Sequence, residues 1–355
     1  MQDELRNELG CLGRDIGVAS RVAVNGLPFA LRGVRVGAIL KKTCPRVDAV
    51  GEEITINYLH KFAHDNGLKF GMIVSGPRGE VHYIGNGSKL IYTIPDPVDG
   101  TIKAAGLGSD LDSGIYRLGN DGVWGASIAF TDVTDKMVGD LRISDFKSAS
   151  IVDGNPRTYS VSPDHAYTHF ENGVVRAVEL LERDVDSKRK GDLVTIVTSS
   201  QKTLRQGVIA LDKFQAFSTS AEMGMTLDSS QQTEFDRQQK DYLTRVLRIG
   251  SKLENRNEGG AFDIWRAYGS AAEILCTMFG RKGIVEPQGV ARIALRDELG
   301  NVVPGYVLTK AAGGEVIDLT TGKDIGELSL SDPRPELMAV ANPTIKEAIL
   351  KRLTI

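Results

Sequence analysis

The sequence predicts an α/β protein with a mixed, largely antiparallel sheet in its first half and a smaller α/β unit in its second half. Two stretches with apolar residues at helical spacing precede a succession of short β-rich runs, and helices alternate with strands again after residue 190. The 355 residues suffice for one large unit or for two packed subdomains. We place the boundary in the charged stretch 183–192, which gives subdomains 1–190 and 191–355.

Two amphipathic helices and four strands are expected in the first half. Leu5, Leu9, Leu12 and Ile16 recur at helical spacing, so the first helix packs this stripe into the core or onto a partner subunit. Apolar residues from Val50 to Ala63 predict the second helix, on whose opening turns Asp48 and Glu52 lie four apart and share a face. Asp48 could equally be a helix N-cap. The strands are predicted at 70–74, 81–85, 89–95 and 122–131.

The second half contains fewer clear signals. Leu193–Thr198 is a candidate buried strand, 238–253 an exposed helix, and Met338–Ala341 a final strand. A terminal helix follows, with the apolar stripe Ile345, Ala348, Ile349 and Leu353 facing inward. Apolar residues from Ile264 to Phe279 predict a helix closed by Gly280, and Pro304 suits the first turn of the next helix. The polar segments 155–205 and 217–262 carry no recognisable motif.

Composition excludes several classes of function. A formal net charge of −3 gives no electrostatic footprint for nucleic acid. Three widely spaced cysteines argue against a disulfide framework. No apolar run suggests a signal peptide or a membrane span, so we expect a cytoplasmic protein that binds neither nucleic acid nor membrane.

The segment Asp96-Pro97-Val98-Asp99-Gly100-Thr101 is the most informative part of the chain. It follows the β-rich run Leu90–Ile94, Pro97 is expected to stop the strand, and Gly100 permits a sharp turn. Two carboxylates, a carbonyl and a hydroxyl would then surround one point, and such oxygen ligands suit Mg²⁺. The same residues also form an ordinary turn, so the hexapeptide alone leaves both interpretations open.

Four segments in order resemble the inositol monophosphatase and fructose-1,6-bisphosphatase superfamily. Residues 96–101 resemble its Asp-Pro-X-Asp-Gly-Thr signature, and Asp48 with Glu52 resembles the acidic pair of its early helix. The segment 266–272 is similar to its Arg-X-X-Gly-Ser-Ala-Ala element, and 312–318 to its Ala-Gly-Gly-X-Val-X-Asp turn. The resemblance covers about residues 35 to 353 and implies a layered αβαβα sugar-phosphatase fold.

The resemblance also implies a reaction, a cofactor and roles for individual residues. It implies hydrolysis of a phosphate monoester of a small polyol or sugar with Mg²⁺ or Mn²⁺, by a homodimer. Asp96 would bridge metals, Asp99 would hold the second metal, and Val98 would lend its carbonyl. Asp48 and Thr101 would position the water nucleophile. The substrate would be bound by Gly100, Thr101, Gly269 and Ser270, although Ser270 could equally serve close helix–sheet packing.

Two acidic ligands of the superfamily are missing. Gly76-Pro77 stands where the superfamily has Glu-Glu, and Gly300-Asn301 where it has Trp-Asp. Glu80 could reach back to the metal, and Asp297 or Glu298 could replace Asn301 if the loop carries an insertion. The sequence therefore leaves two functions open: a magnesium-dependent phosphatase, or an altered relative that eliminates or isomerises phosphates or only binds a phosphorylated sugar.

Overall fold

The computed structural model describes the chain in fourteen segments. They are residues 2–27, 46–73, 80–99, 125–153, 165–171, 174–179, 193–212, 228–254, 260–261, 263–267, 279–281, 289–295, 299–332 and 336–353.

These segments contain the following helices and strands. The helices are α1 (Gln2–Gly26), α2 (Arg46–Asn66), α3 (Ser229–Glu254), α4 (Leu299–Ala311) and α5 (Pro343–Leu353). The strands are β1 (Leu68–Ile73), β2 (Val81–Ile84), β3 (Lys89–Asp99), β4 (Gly125–Thr131), β5 (Phe146–Asp153), β6 (His165–Glu171), β7 (Val174–Glu179), β8 (Leu193–Thr198), β9 (Val208–Asp212), β10 (Asp263–Ala267), β11 (Phe279–Arg281), β12 (Gly289–Ala294), β13 (Glu315–Asp318) and β14 (Leu337–Val340).

The larger sheet has nine strands in the order β11-β8-β7-β6-β5-β4-β3-β1-β2. Adjacent strands of this sheet pair antiparallel, except that β1 and β3 are parallel. The prediction of a mixed, largely antiparallel sheet in the first half is therefore confirmed.

The smaller sheet has five strands in the order β10-β9-β12-β14-β13. β10, β9 and β12 are parallel, and β14 pairs antiparallel with both β12 and β13. Two strands that follow residue 190, β8 and β11, belong to the larger sheet. The subdomain boundary at residue 190 stays a prediction.

Three apolar clusters stack the elements into five layers. One cluster joins α1 and α2 to the larger sheet, and a second places α4 between the two sheets. The third joins the smaller sheet to α3 and α5 on its other face. This layering is the αβαβα arrangement expected from the sequence, and it follows from each sheet needing apolar cover on both faces.

The helix stripes are confirmed, because Leu9, Leu12 and Ile16 of α1 and Ile345 and Ile349 of α5 are buried. None of the helices in the fourteen segments is long and apolar enough to cross a bilayer.

Three local predictions are wrong. Residues 263–267 and 279–281 are strands rather than the ends of one helix, since short apolar runs fit either period and β9 offers Asp263–Ala267 a parallel partner. Pro304 lies inside α4 rather than in its first turn. β3 continues through Pro97 to Asp99.

Candidate functional site

Residues 96–99 of the signature form the last part of β3, where the pairing with β4 becomes irregular. Asp96 lies opposite Ser127 and Asp99 lies opposite Gly125, so β3 has one residue more than β4 between these two pairs. Pro97 has no N–H to donate, and a bulge accommodates this without ending the strand. The irregularity therefore falls between the two carboxylate-bearing residues.

The opening turns of α2 pack directly against this irregular segment. A Cβ atom at Gly51 would lie 2.9 Å from Pro97 Cβ and 3.0 Å from Val98 Cγ2, closer than a real side chain allows. Asp48 lies three positions before Gly51 and therefore on the same face of the helix. The structure thus brings the early helix and the signature together at the backbone level. Glu52, one position further on, is exposed.

Burial differs along the signature. Val98 is 2% exposed and contributes to the packing under α2, whereas Asp96 is partly exposed. The neighbouring residues on the face of Asp96, Ile94 and Ala129, belong to the cluster that includes α4. Asp96 therefore lies on the α4 face of the larger sheet.

α4 brings Asn301 to this face of the sheet. Asn301 is the third residue of α4, and α4 contacts β3, β4 and β5. Asn301 therefore lies near the N-terminus of α4, and its side chain lies outside the described structure.

Glu80 is exposed and lies directly before β2. Val81 pairs with Ile73, and β1 runs parallel to β3, so Glu80 lies at the same end of the sheet as Asp96. Because adjacent strands are about 4.8 Å apart, two strand spacings, or about 10 Å, separate its backbone from β3. Whether Glu80 replaces a missing ligand stays a prediction.

Several predicted site residues lie outside the described segments. These are Gly76, Pro77, Gly100, Thr101, Gly269, Ser270, Asp297 and Glu298, together with the side chains of Asp48 and Asp99. In the part of the chain that the structure describes, no three histidine, cysteine or acidic side chains form a group that could hold a metal ion.

Two residues of this region were missed by sequence reasoning. Gly51 interrupts a helical pattern, which is the usual sign of a close packing contact. Ser127 is a polar residue inside an apolar strand, and it proves to be 3% exposed and opposite Asp96.

Tyr92 lies on the same strand and face as Asp96, but it is buried in the apolar core. Its hydroxyl donates a hydrogen bond to the carbonyl of Lys136 (3.1 Å). Burial, with a smaller contribution from the neighbouring Tyr83 hydroxyl, raises the pKa of Tyr92 to about 12. Tyr92 is therefore a neutral phenol that helps the core to pack.

Comparison with solved structures shows what this architecture is similar to. The extragenic suppressor protein SuhB of Bartonella henselae superposes with a TM-score of 0.54 at 15% identity, over 98% of each chain. The chain has the inositol monophosphatase fold. The IMPase of Thermotoga maritima (TM-score 0.52, 13% identity) is matched over 96% of this chain and 94% of its own. Inositol monophosphatase II of Staphylococcus aureus (0.53, 11%) is matched over 97% and 94%.

No protein-family model matches this sequence, and no curated protein matches it. At 11 to 15% identity, the three solved structures establish this fold and not an activity.

Proposed function

We propose that this protein acts on the phosphate group of a small polyol or sugar at the site formed by the end of β3 and the opening turns of α2. The observation that supports this proposal most directly is the contact of Gly51 with Pro97 and Val98. In this contact the helix that carries Asp48 packs against the strand end that carries Asp96 and Asp99. Because α2 covers the face of Pro97 and Asp96 lies on the α4 face, Asp48 and Asp96 would have to meet around the end of the strand.

The residues present fit a hard divalent cation. The ligands would be carboxylate oxygens of Asp96 and Asp99 and the carbonyl oxygen of Val98, which are the kind of donors that Mg²⁺ and Mn²⁺ favour. The close fit at Gly51 leaves no room there for a side chain between the two backbones. When bound, such an ion would stabilise charge on the phosphate and make a bound water more acidic.

Residues of the chain itself would bind the cation and the substrate and would orient the attacking water. Asp96 and Asp99 would hold the cation at the strand end. Asp48 and Thr101 would orient the attacking water, and the Asp48 carboxylate would accept its proton. The backbone N–H groups of Gly100 and Thr101 would bind phosphate oxygens. Gly269 and Ser270 would contact hydroxyl groups of the substrate.

A second function is supported by the two missing acidic residues. Gly76-Pro77 and Asn301 provide no carboxylate where a second cation would need neutralisation. Elimination or isomerisation of the phosphate, or binding without turnover, would then replace hydrolysis.

Both functions require the protein to bind a divalent cation together with a phosphate group, and calorimetry with Mn²⁺ and inorganic phosphate tests this binding. We expect wild-type protein to bind the two together and Asp96→Asn to bind at least about a hundredfold more weakly, because it loses a charged oxygen ligand. Asp135→Asn is the matched control, since Asp135 is exposed after the far end of β4. Equal binding by wild type and Asp96→Asn would show that the signature is only a turn.

Restoring the missing carboxylates separates hydrolysis from the alternatives. Pro77→Glu combined with Asn301→Asp should tighten Mn²⁺ binding and raise phosphate release from polyol and sugar phosphates about tenfold to a hundredfold. If Glu80→Gln in the wild-type background abolishes phosphate release, Glu80 is the replacement ligand. If the restored variant loses a native activity without gaining hydrolysis, the site serves another reaction.

Assembly as a homodimer and location in the cytoplasm stay predictions. A sedimentation mass of twice 38.4 kDa would support the dimer.

A further inference from the structure

Ser127 is buried directly opposite Asp96 without a hydrogen-bond partner in the described structure. The residue is 3% exposed, and its Oγ finds no donor or acceptor among the described groups. An unsatisfied buried hydroxyl costs about 1–3 kcal/mol, so native proteins usually provide a partner. Other buried hydroxyls, such as that of Ser150, share this property, and Ser127 differs from Ser150 in having an acidic residue opposite it.

The register of β3 and β4 shows what this hydroxyl faces. Ser127 and Asp96 are directly paired across two antiparallel strands, so their side chains leave the same face of the sheet. Cβ atoms of such pairs are about 4.5–5.5 Å apart, which lets a serine hydroxyl reach a carboxylate directly or through one water. Ile94 and Ala129 fill the next position on this face, so the hydroxyl lies between the apolar core and the strand end.

We propose that Ser127 is a positioning residue for the Asp96 carboxylate: when the site is loaded, its Oγ–H donates a hydrogen bond, directly or through one water, that fixes which carboxylate oxygen faces the cation. This inference rests on the proposed function of Asp96 and assigns a further residue to that site. Groups in this position orient metal ligands, and their loss typically weakens metal binding tenfold to a hundredfold.

Ser150 provides a matched control on the opposite face of the same sheet. It is 1% exposed and its Oγ also finds no partner in the described structure. It pairs with Ile128 rather than with an acidic residue, and its Cβ lies 3.0 Å from where a Cβ at Gly13 of α1 would be. Ser127→Ala and Ser150→Ala therefore make the same chemical change at equal burial, one facing Asp96 and one facing α1.

The experiment measures two quantities for each variant: the Kd for Mn²⁺ in the presence of inorganic phosphate, and the Tm without metal. We expect Ser127→Ala to weaken Mn²⁺ binding about tenfold, or about 1.4 kcal/mol, and Ser150→Ala to leave it unchanged. The metal-free Tm should stay equal or rise in both, because alanine removes an unsatisfied hydroxyl. Ser127→Thr keeps the hydroxyl and should bind Mn²⁺ like wild type.

Three results would overturn the assignment. Wild-type Kd in Ser127→Ala would show that the hydroxyl does not act on Asp96. An equal loss of binding in both alanine variants, or a lower metal-free Tm in Ser127→Ala alone, would show a packing role. Weak binding by Ser127→Thr with an unchanged Tm would exclude the hydroxyl as the cause.

Asp96→Asn, measured in parallel, separates this inference from the proposed function. If Asp96→Asn loses binding and Ser127→Ala does not, only the inference on Ser127 fails. If wild type itself does not bind Mn²⁺ with phosphate, both fail.

Discussion

Helices α1 and α2 both pack closely against the larger sheet at a glycine, but they contact different kinds of residues there. Gly17 of α1 lies so close to β5 that a Cβ there would overlap Val152 Cγ2, and a Cβ at Gly51 of α2 would crowd Pro97 and Val98. α1 covers the apolar middle of β4 and β5. α2 meets the irregular end of β3, which carries Asp96 and Asp99. Close helix–sheet packing therefore contributes stability in one contact and assembles the candidate site in the other.

Gly17→Ala should have the largest effect on stability. The added methyl group gains up to about 1 kcal/mol in helix propensity. The overlap with a buried, β-branched Val152 costs about 1–3 kcal/mol or more, so we expect a lower free energy of unfolding in a denaturant titration. Gly26→Ala is the control, because nothing lies within 4 Å of its Cβ position and its stability should stay equal or rise. Stability of Gly17→Ala at or above wild type would mean that α1 can shift freely.

Gly51→Ala should lower stability less but affect function more. Its closest contacts, at 2.9 and 3.0 Å, are milder than those at Gly17, so we expect a loss of about 1 kcal/mol. Moving α2 away from Pro97 should also separate Asp48 from the signature and weaken binding of Mn²⁺ with inorganic phosphate severalfold, measured by calorimetry. Gly17→Ala, measured at a temperature where it is fully folded, should bind like wild type. Equal binding by both variants would contradict the distinction between the two contacts.

The ion pair of Arg6 with Asp132 gives α1 a second attachment to the sheet. Arg6 donates two hydrogen bonds to the carboxylate of Asp132, at 2.7 and 2.6 Å, and its own carbonyl accepts one from Ser148 Oγ. The hydrogen bond with Asp132 raises the pKa of Arg6. Arg6→Lys keeps the charge but loses the bidentate geometry, so we expect about 0.5–1 kcal/mol less stability by chemical denaturation. Arg14→Lys, at a more local pair with Asp15, should change stability less.

Acid should weaken the contacts of Asp145, at the far end of the larger sheet, before it affects either glycine contact. We expect this loss of stability to be the smallest of the predicted effects. Burial alone would raise the pKa of Asp145, but hydrogen bonds from the Lys136 ammonium and the Arg142 amide outweigh it and hold that pKa below its usual value of 3.8. The folded pKa is the lower one, so Asp145 adds stability above about pH 4 that is lost as the pH falls through the folded pKa.

Asp145→Asn tests this effect. The variant should be less stable at pH 7 and should lose less further stability on acidification, as followed by denaturant titrations at pH 7 and pH 3. If the free energy of unfolding falls equally with pH in wild type and variant, Asp145 is not the source of the acid-dependent loss of stability.

How much of the site could be read from the sequence differs between its parts. The carboxylates of 96–101 and the helix bearing Asp48 could be predicted, because residue types and spacings are local properties. The length of β3 could not be, since proline usually stops a strand and only the bulge against β4 allows the strand to continue to Asp99. Local spacing predicts a helix at 263–267, whereas the residues form a strand because β9, about fifty residues earlier in the sequence, pairs with them.

The apolar stripes of α1 and α5, the mainly antiparallel larger sheet and the acidic residues available to a cation are all predictable from the amino-acid sequence. Three further features appear only in the folded chain: Gly51 packs against Pro97 and Val98, α4 lies between the two sheets, and Ser127 rather than Ser150 faces Asp96. The physical reason is that residue spacing fixes which side chains share a face of one element. Which faces then meet depends on strand register and close packing between distant segments.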